Sequence, residues 1–142
     1  MAIKILLADD LKTIRDELRA IVEKHKDMEV VGAARSGRGA VKLARKLMPD
    51  VVVMDITMPD LNGMDATRMI LKKSPGIRVI GVSIHSDRWF VSGMLDAGAS
   101  GFLLKDCASE ELAGAIRSVA SNHTYLCPRA ADVMVGGSEP SD

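Results

Sequence analysis

A chain of 142 residues, 47% hydrophobic and 27% charged, is long enough to bury one core and too apolar to stay disordered. Its 19 basic and 19 acidic residues cancel, so no overall field draws it to nucleic acid or to a membrane surface. Two cysteines, Cys107 and Cys127, are too few for a disulfide framework and lack metal-ligand spacing, which leaves two ordinary thiols. Neither a signal-peptide pattern nor an uncharged run of bilayer length is present, so a cytoplasmic chain without membrane contact is expected.

Apolar runs and helical patterns alternate from the N-terminus onward. Ile3 to Ala8 is a short apolar run that ends on Asp9-Asp10. From about Leu11 to Lys24, Ile14, Leu18, Ile21 and Val22 recur at helical spacing. Val30 to Ala33 reads as a weaker strand, and Val41, Leu43, Ala44 and Leu47 mark a helix stopped by Pro49. Val51 to Met54 is a strand with the continuous apolar character of one buried on both faces, and it runs into Asp55. Gly63 opens a helix that Pro75-Gly76 closes, and Ile77 to Ile84 is a fourth strand. Asp87 is an N-cap candidate for a helix carrying Phe90, Val91, Met94 and Leu95. Trp89 is expected to point partly outward from that helix, either covering its edge or serving a partner surface. Gly101 to Leu104 is a fifth strand ending at Lys105, and Glu110-Glu111 suit the start of a last helix. Beyond His123 the texture changes. Tyr125 to Val135 reads as a short extra helix, and Gly136 to Asp142 as a linker or tail.

Strand and helix in alternation imply a parallel sheet covered on both faces by right-handed crossovers. The expected fold is α/β, a flavodoxin-like (βα)5 three-layer sandwich whose five strands run in the order 2-1-3-4-5. Residues 1–122 would form this unit, and residues 123–142 a C-terminal extension.

Ligands of such sheets sit outside the carboxyl ends of the strands, near the switch in strand order. Asp9, Asp10, Asp55, Ser83 and Lys105 all fall on that edge. Each has an ordinary structural reading: a helix cap, a turn aspartate, a strand-end serine, a solvated lysine. Their joint placement favours a site. Three converging carboxylates repel unless a cation sits among them, and a hard divalent ion such as Mg2+ suits oxygen ligands. A carboxylate nucleophile, a metal, an ammonium and a hydroxyl are the parts needed to accept a phosphoryl group.

The motifs Leu7-Ala8-Asp9-Asp10, Met54-Asp55-Ile56-Thr57-Met58-Pro59 with Asn62-Gly63, Val82-Ser83 and Gly98 to Lys105 occur here in order. Over roughly Ile3 to Ser121 the chain resembles the receiver domain of bacterial two-component response regulators. The stretch Gly98 to Asp106, with Ala115-Ile116 and Tyr125-Leu126, looks most like the LuxR-type (NarL/FixJ) group. The resemblance implies Asp55 as phosphoryl acceptor from a sensor histidine kinase. It implies Mg2+ on Asp10, Asp55 and the Thr57 backbone carbonyl, with Asp9 acting through a water. Lys105 would contact the phosphoryl oxygen, Ser83 would be the switch hydroxyl, and Phe102 the aromatic that turns inward behind it. Thr57 and His85 occupy the positions that tune dephosphorylation, although His85 also reads as a plain loop histidine. Output would follow through homodimerisation, or through a C-terminal helix-turn-helix domain that binds DNA and would begin where this chain stops.

Two residues depart from the common receiver pattern. Asp106 stands where many receivers have a proline, so a trans bond after Lys105 is expected. Phe102 replaces a frequent tyrosine, which removes a phenolic hydrogen bond but keeps a ring that turns. Other readings are a receiver that docks or dimerises without phosphorylation, a natural single-domain regulator, and an aspartate-nucleophile phosphatase. The last wants an acid where Thr57 stands, so apart from acquiring and losing its own phosphoryl group the chain is not expected to be an enzyme.

Overall fold

The computed structural model describes residues 2–85 and 87–135. Strands and helices alternate as β1 (Ile3–Ala8), α1 (Lys12–Glu23), β2 (Met28–Ala34), α2 (Gly37–Leu47), β3 (Val51–Asp55), α3 (Gly63–Lys73), β4 (Arg78–Ser83), α4 (Arg88–Asp96), β5 (Gly101–Leu104) and α5 (Ala108–Ala120). A short 3-10 turn, Lys105–Cys107, joins β5 to α5, and β6 (Tyr125–Leu126) and α6 (Pro128–Val135) follow.

All strand pairings are parallel, in the order β2-β1-β3-β4-β5-β6. The expected order of the first five strands holds, but the sheet has a sixth. Tyr125 and Leu126 pair with Gly101 and Phe102 instead of starting a helix. The reason lies in Pro128, which suits the first position of a helix, so that α6 begins there and the two residues before Cys127 are left extended. The tail expected over residues 136–142 lies outside the described residues.

The central strands are buried because both of their faces are covered. Val51 to Met54 are at most 1% exposed, as are Ile5 to Ala8, and the register sets Ile5 against Val51 and Val53 against Ile80. One face carries α1 and α5; the other carries α2, α3, α4 and α6 in succession. At the edge, β2 is longer than the strand expected over Val30 to Ala33 and bulges once, because Ile5 pairs with Val30 while Leu6 pairs with Gly32.

Helix ends follow their local chemistry. Ser36 caps α2 by accepting from the Gly39 amide, and Asn62 caps α3 by accepting from the Asp65 amide. Asp87 holds the N-cap position of α4, but its carboxylate makes no cap bond; the Asp87 carbonyl takes the amides of Phe90 and Val91. Gly63 is required by contact: a Cβ there would lie 2.5 Å from the Asp55 carbonyl oxygen and 2.7 Å from Ile56 Cα. The first turn of α3 is thereby pressed against the end of β3.

Candidate functional site

The carboxyl ends of β1, β3 and β4 and the start of the turn after β5 deliver Asp9, Asp10, Asp55, Ser83 and Lys105 to one edge of the sheet. Asp9 is 1% exposed and Asp55 3%, whereas Asp10 faces solvent. One carboxylate oxygen from each of the three lies within 4.8 Å of the others. Strand registry fixes this: Ala8, just before Asp9, pairs with Met54, just before Asp55.

Lys105 supplies the positive charge. Its Nζ lies 3.2 Å from Asp9 Oδ2 and 3.6 Å from Asp55 Oδ1. Asp9 Oδ1 accepts from the Leu11 amide at 2.9 Å, and Arg15 donates to the Asp9 carbonyl at 2.8 Å. Oδ2 of Asp9 is buried and receives no hydrogen bond, and its neighbour is the Lys105 ammonium in an ion pair. Asp55 Oδ1 accepts from the Thr57 amide at 3.2 Å, with the Thr57 hydroxyl 3.5 Å away. Burial first, and then the charge of Asp9, push the Asp55 carboxyl above its ordinary value, against the pull of Lys105 and the Thr57 amide.

Such a cluster is one cation short. A single ammonium faces three carboxylates, one buried oxygen is left without a hydrogen bond, and every donor is a hard oxygen. That donor set fits Mg2+ better than a soft or imidazole-seeking metal.

The remaining expected residues surround this centre. Ser83 is 1% exposed and its Oγ accepts from the His85 amide at 2.9 Å. Phe102 is fully buried on β5, its ring turned into the core. Thr57 is exposed, on the loop leaving β3, and the bond between Lys105 and Asp106 is trans. His85 is half-buried and its ring lies flat on that of Phe90, with centroids 4.5 Å apart and planes at 10°. Trp89 is 68% exposed, as anticipated, and packs edge-on against Phe90 at 4.8 Å.

Two further residues support this edge without a local signal in the sequence. Asp60 accepts from the amides of Gly37 and Arg38 at 2.9 and 3.1 Å, tying the loop after β3 to the start of α2. Its partners are over twenty residues away, so no local signal marks it. Arg15 lies in the first turns of α1, where spacing assigns it only to a helix face.

Two kinds of relatives bear on what this edge belongs to. Residues 5–117 match the family described as the response regulator receiver domain. The transcriptional regulatory protein DegU of Brevibacillus brevis is 36% identical over 133 residues, covering 94% of this chain and 56% of that protein. The response regulator GacA of Pseudomonas aeruginosa is 37% identical over 132 residues, covering 93% of this chain and 62% of that one. The chain thus spans less than two thirds of the length of either. The crystal structure of a LuxR-family two-component response regulator from Aurantimonas sp. SI85-9A1 superposes with a TM-score of 0.90 at 30% identity, covering 94% of this chain and 96% of that one. Receiver domains of this family act in general as phosphorylation-dependent switches. The chain belongs to the response regulator receiver domain family, in its LuxR-type group.

Proposed function

We propose that Asp55 accepts a phosphoryl group from the phosphohistidine of a sensor kinase. One O–P bond forms at the Asp55 carboxylate as the P–N bond of the donor breaks, and the electron pair leaves with the imidazole nitrogen. The observation that carries this reading is the position of Lys105, 3.2 Å from Asp9 and 3.6 Å from Asp55, over a cluster that gathers a third carboxylate from Asp10. Asp10, Asp55 and the Thr57 carbonyl would hold Mg2+, with Asp9 acting through a water. When bound, the ion neutralises the converging carboxylates and the incoming phosphoryl oxygens.

Each protein group then has one task. Asp55 is the nucleophile, and its burial keeps bulk water from competing for the phosphorus. Lys105 holds a phosphoryl oxygen. Ser83 donates its hydroxyl proton to another, and Phe102 fills the space behind it. Thr57 and His85, at the mouth, set how readily water reaches the acyl phosphate. The chemistry is acquisition and loss of the chain's own phosphoryl group, not turnover of an external substrate.

Residues 1–122 would be the receiver unit and residues 123–142 the extension toward an output domain. DegU, named a transcriptional regulator, is longer than this chain. By analogy, output is transcriptional, through a helix-turn-helix domain beyond Asp142 and a homodimer favoured by phosphorylation. No helix among the described residues is long and apolar enough to cross a membrane, in keeping with a cytoplasmic partner for the kinase.

Beryllofluoride, a phosphoryl mimic, tests the reading. With Mg2+ it should change Trp89 emission in the wild type and leave Asp55→Asn unchanged. A well-folded wild type that ignores beryllofluoride at saturating Mg2+ would overturn it.

A further inference from the structure

Ser83 ends β4, one residue past Val82, which pairs with Asp55 across the β3–β4 ladder, so the strand end that carries the hydroxyl lies beside the end that carries Asp55. What holds that hydroxyl is the loop that follows it. The His85 amide donates to Ser83 Oγ at 2.9 Å. With that lone pair engaged, the hydroxyl keeps its own proton free to donate. Ile84, the residue between Ser83 and His85, is 71% exposed. The His85 ring is laid on Phe90 at 4.5 Å and 10°. Phe90 is itself fixed, by its place on α4 against the core and by the edge of Trp89 at 4.8 Å.

We propose that Phe90 is a positioning residue for Ser83: by stacking on His85 it fixes the loop amide that holds the switch hydroxyl toward the mouth of Asp55. The proposal rests on the reading of Asp55 as phosphoryl acceptor. Phe90 meets this loop through the His85 ring stacked on it. The role belongs to the ring, not to apolar bulk. Tyrosine keeps the stack, and leucine fills the volume without it.

The test is the rate of phosphoryl acceptance from acetyl phosphate at saturating Mg2+, followed by intact-protein mass spectrometry. The proteins are the wild type, Phe90→Leu, Phe90→Tyr, His85→Ala and the double variant Phe90→Leu/His85→Ala. His85→Ala removes the same stack from the loop side and leaves the Phe90 ring in place on α4. Aromatic pairs of this kind contribute enough that each single loss should slow acceptance about two- to tenfold. Phe90→Tyr should accept at the wild-type rate. The double variant should be no slower than the slower single one, because both remove one interaction. The Mg2+ concentration for half-maximal rate should stay unchanged throughout, which a general loosening of the site would not allow. If the wild type is phosphorylated but the single variants keep its rate, or their losses multiply in the double variant, Phe90 has no such role and the Asp55 reading stands. If the wild type takes no phosphoryl group, both fall.

Discussion

The ammonium of Lys105 lies 3.2 Å from Oδ2 of Asp9, a buried oxygen that receives no hydrogen bond. Lys105 is therefore a structural counter-charge as well as the proposed ligand for a phosphoryl oxygen. Lys105→Met leaves Asp9 and Asp55 buried beside each other without a cation. The expected cost is on the order of 2 kcal/mol, less than for a fully enclosed pair because Lys105 retains 19% exposure. Thermal unfolding checks it, and added Mg2+ should recover more stability in the variant than in the wild type.

Asp55 should carry a stability penalty of its own. Burial, and then the charge of Asp9, raise its carboxyl above the ordinary 3.8, so the folded chain holds this proton more tightly than the unfolded one. Stability from this group is then highest below the ordinary value and falls as pH rises through the folded value; above it the penalty is constant. Asp55→Asn removes the penalty. Without Mg2+ its melting temperature near neutral pH should exceed the wild type's by a few degrees, on the order of 1 kcal/mol. The fall in wild-type stability above about pH 4 should flatten in the variant. Melts across that range with and without Mg2+ decide the matter, and equal slopes would count against it.

Gly63→Ala places a methyl group 2.5 Å from the Asp55 carbonyl oxygen and 2.7 Å from Ile56 Cα, both main-chain atoms that cannot rotate away. The cost should be about 2 kcal/mol, typical of overpacking against a rigid neighbour. Because the displaced atoms carry the proposed acceptor, Mg2+ affinity should fall with stability; titration calorimetry reads the first and chemical denaturation the second.

At the far side of the sheet, the Cys127 amide donates to the Phe102 carbonyl at 3.1 Å, and Ala130 on α6 is fully buried. The ion pair between Arg129 and Asp106, 3.6 Å long and largely exposed, adds little. Ala130→Glu should thus release α6 as a unit. Hydrogen exchange should show lost protection over residues 125–135, while phosphoryl acceptance stays within about twofold of wild type.

Much of this architecture is legible in the sequence because the parallel sheet imposes continuous apolar runs, and each run ends where its polar residue is needed. Asp9, Asp55, Ser83 and Lys105 announce themselves as the residues that follow such runs, and topology brings them together. What the sequence hides are contacts made across it. The pairing of Tyr125 and Leu126 with β5 looks like the start of a helix, since two residues are too few to show alternation. The bulge in β2, the grip of Asp60 on the amides of α2, and the His85–Phe90 stack likewise depend on neighbours that no spacing names.

The proposed chemistry turns on one carboxylate, that of Asp55. The most direct measurement is to treat the protein with acetyl phosphate and Mg2+, reduce the acyl phosphate with borohydride, and map the converted residue by peptide mass spectrometry. A single phosphoryl group per chain, with conversion only at residue 55 and none in Asp55→Asn or without Mg2+, is the predicted result. A folded wild type that takes up no phosphoryl group, or one whose modification persists in Asp55→Asn, would contradict it.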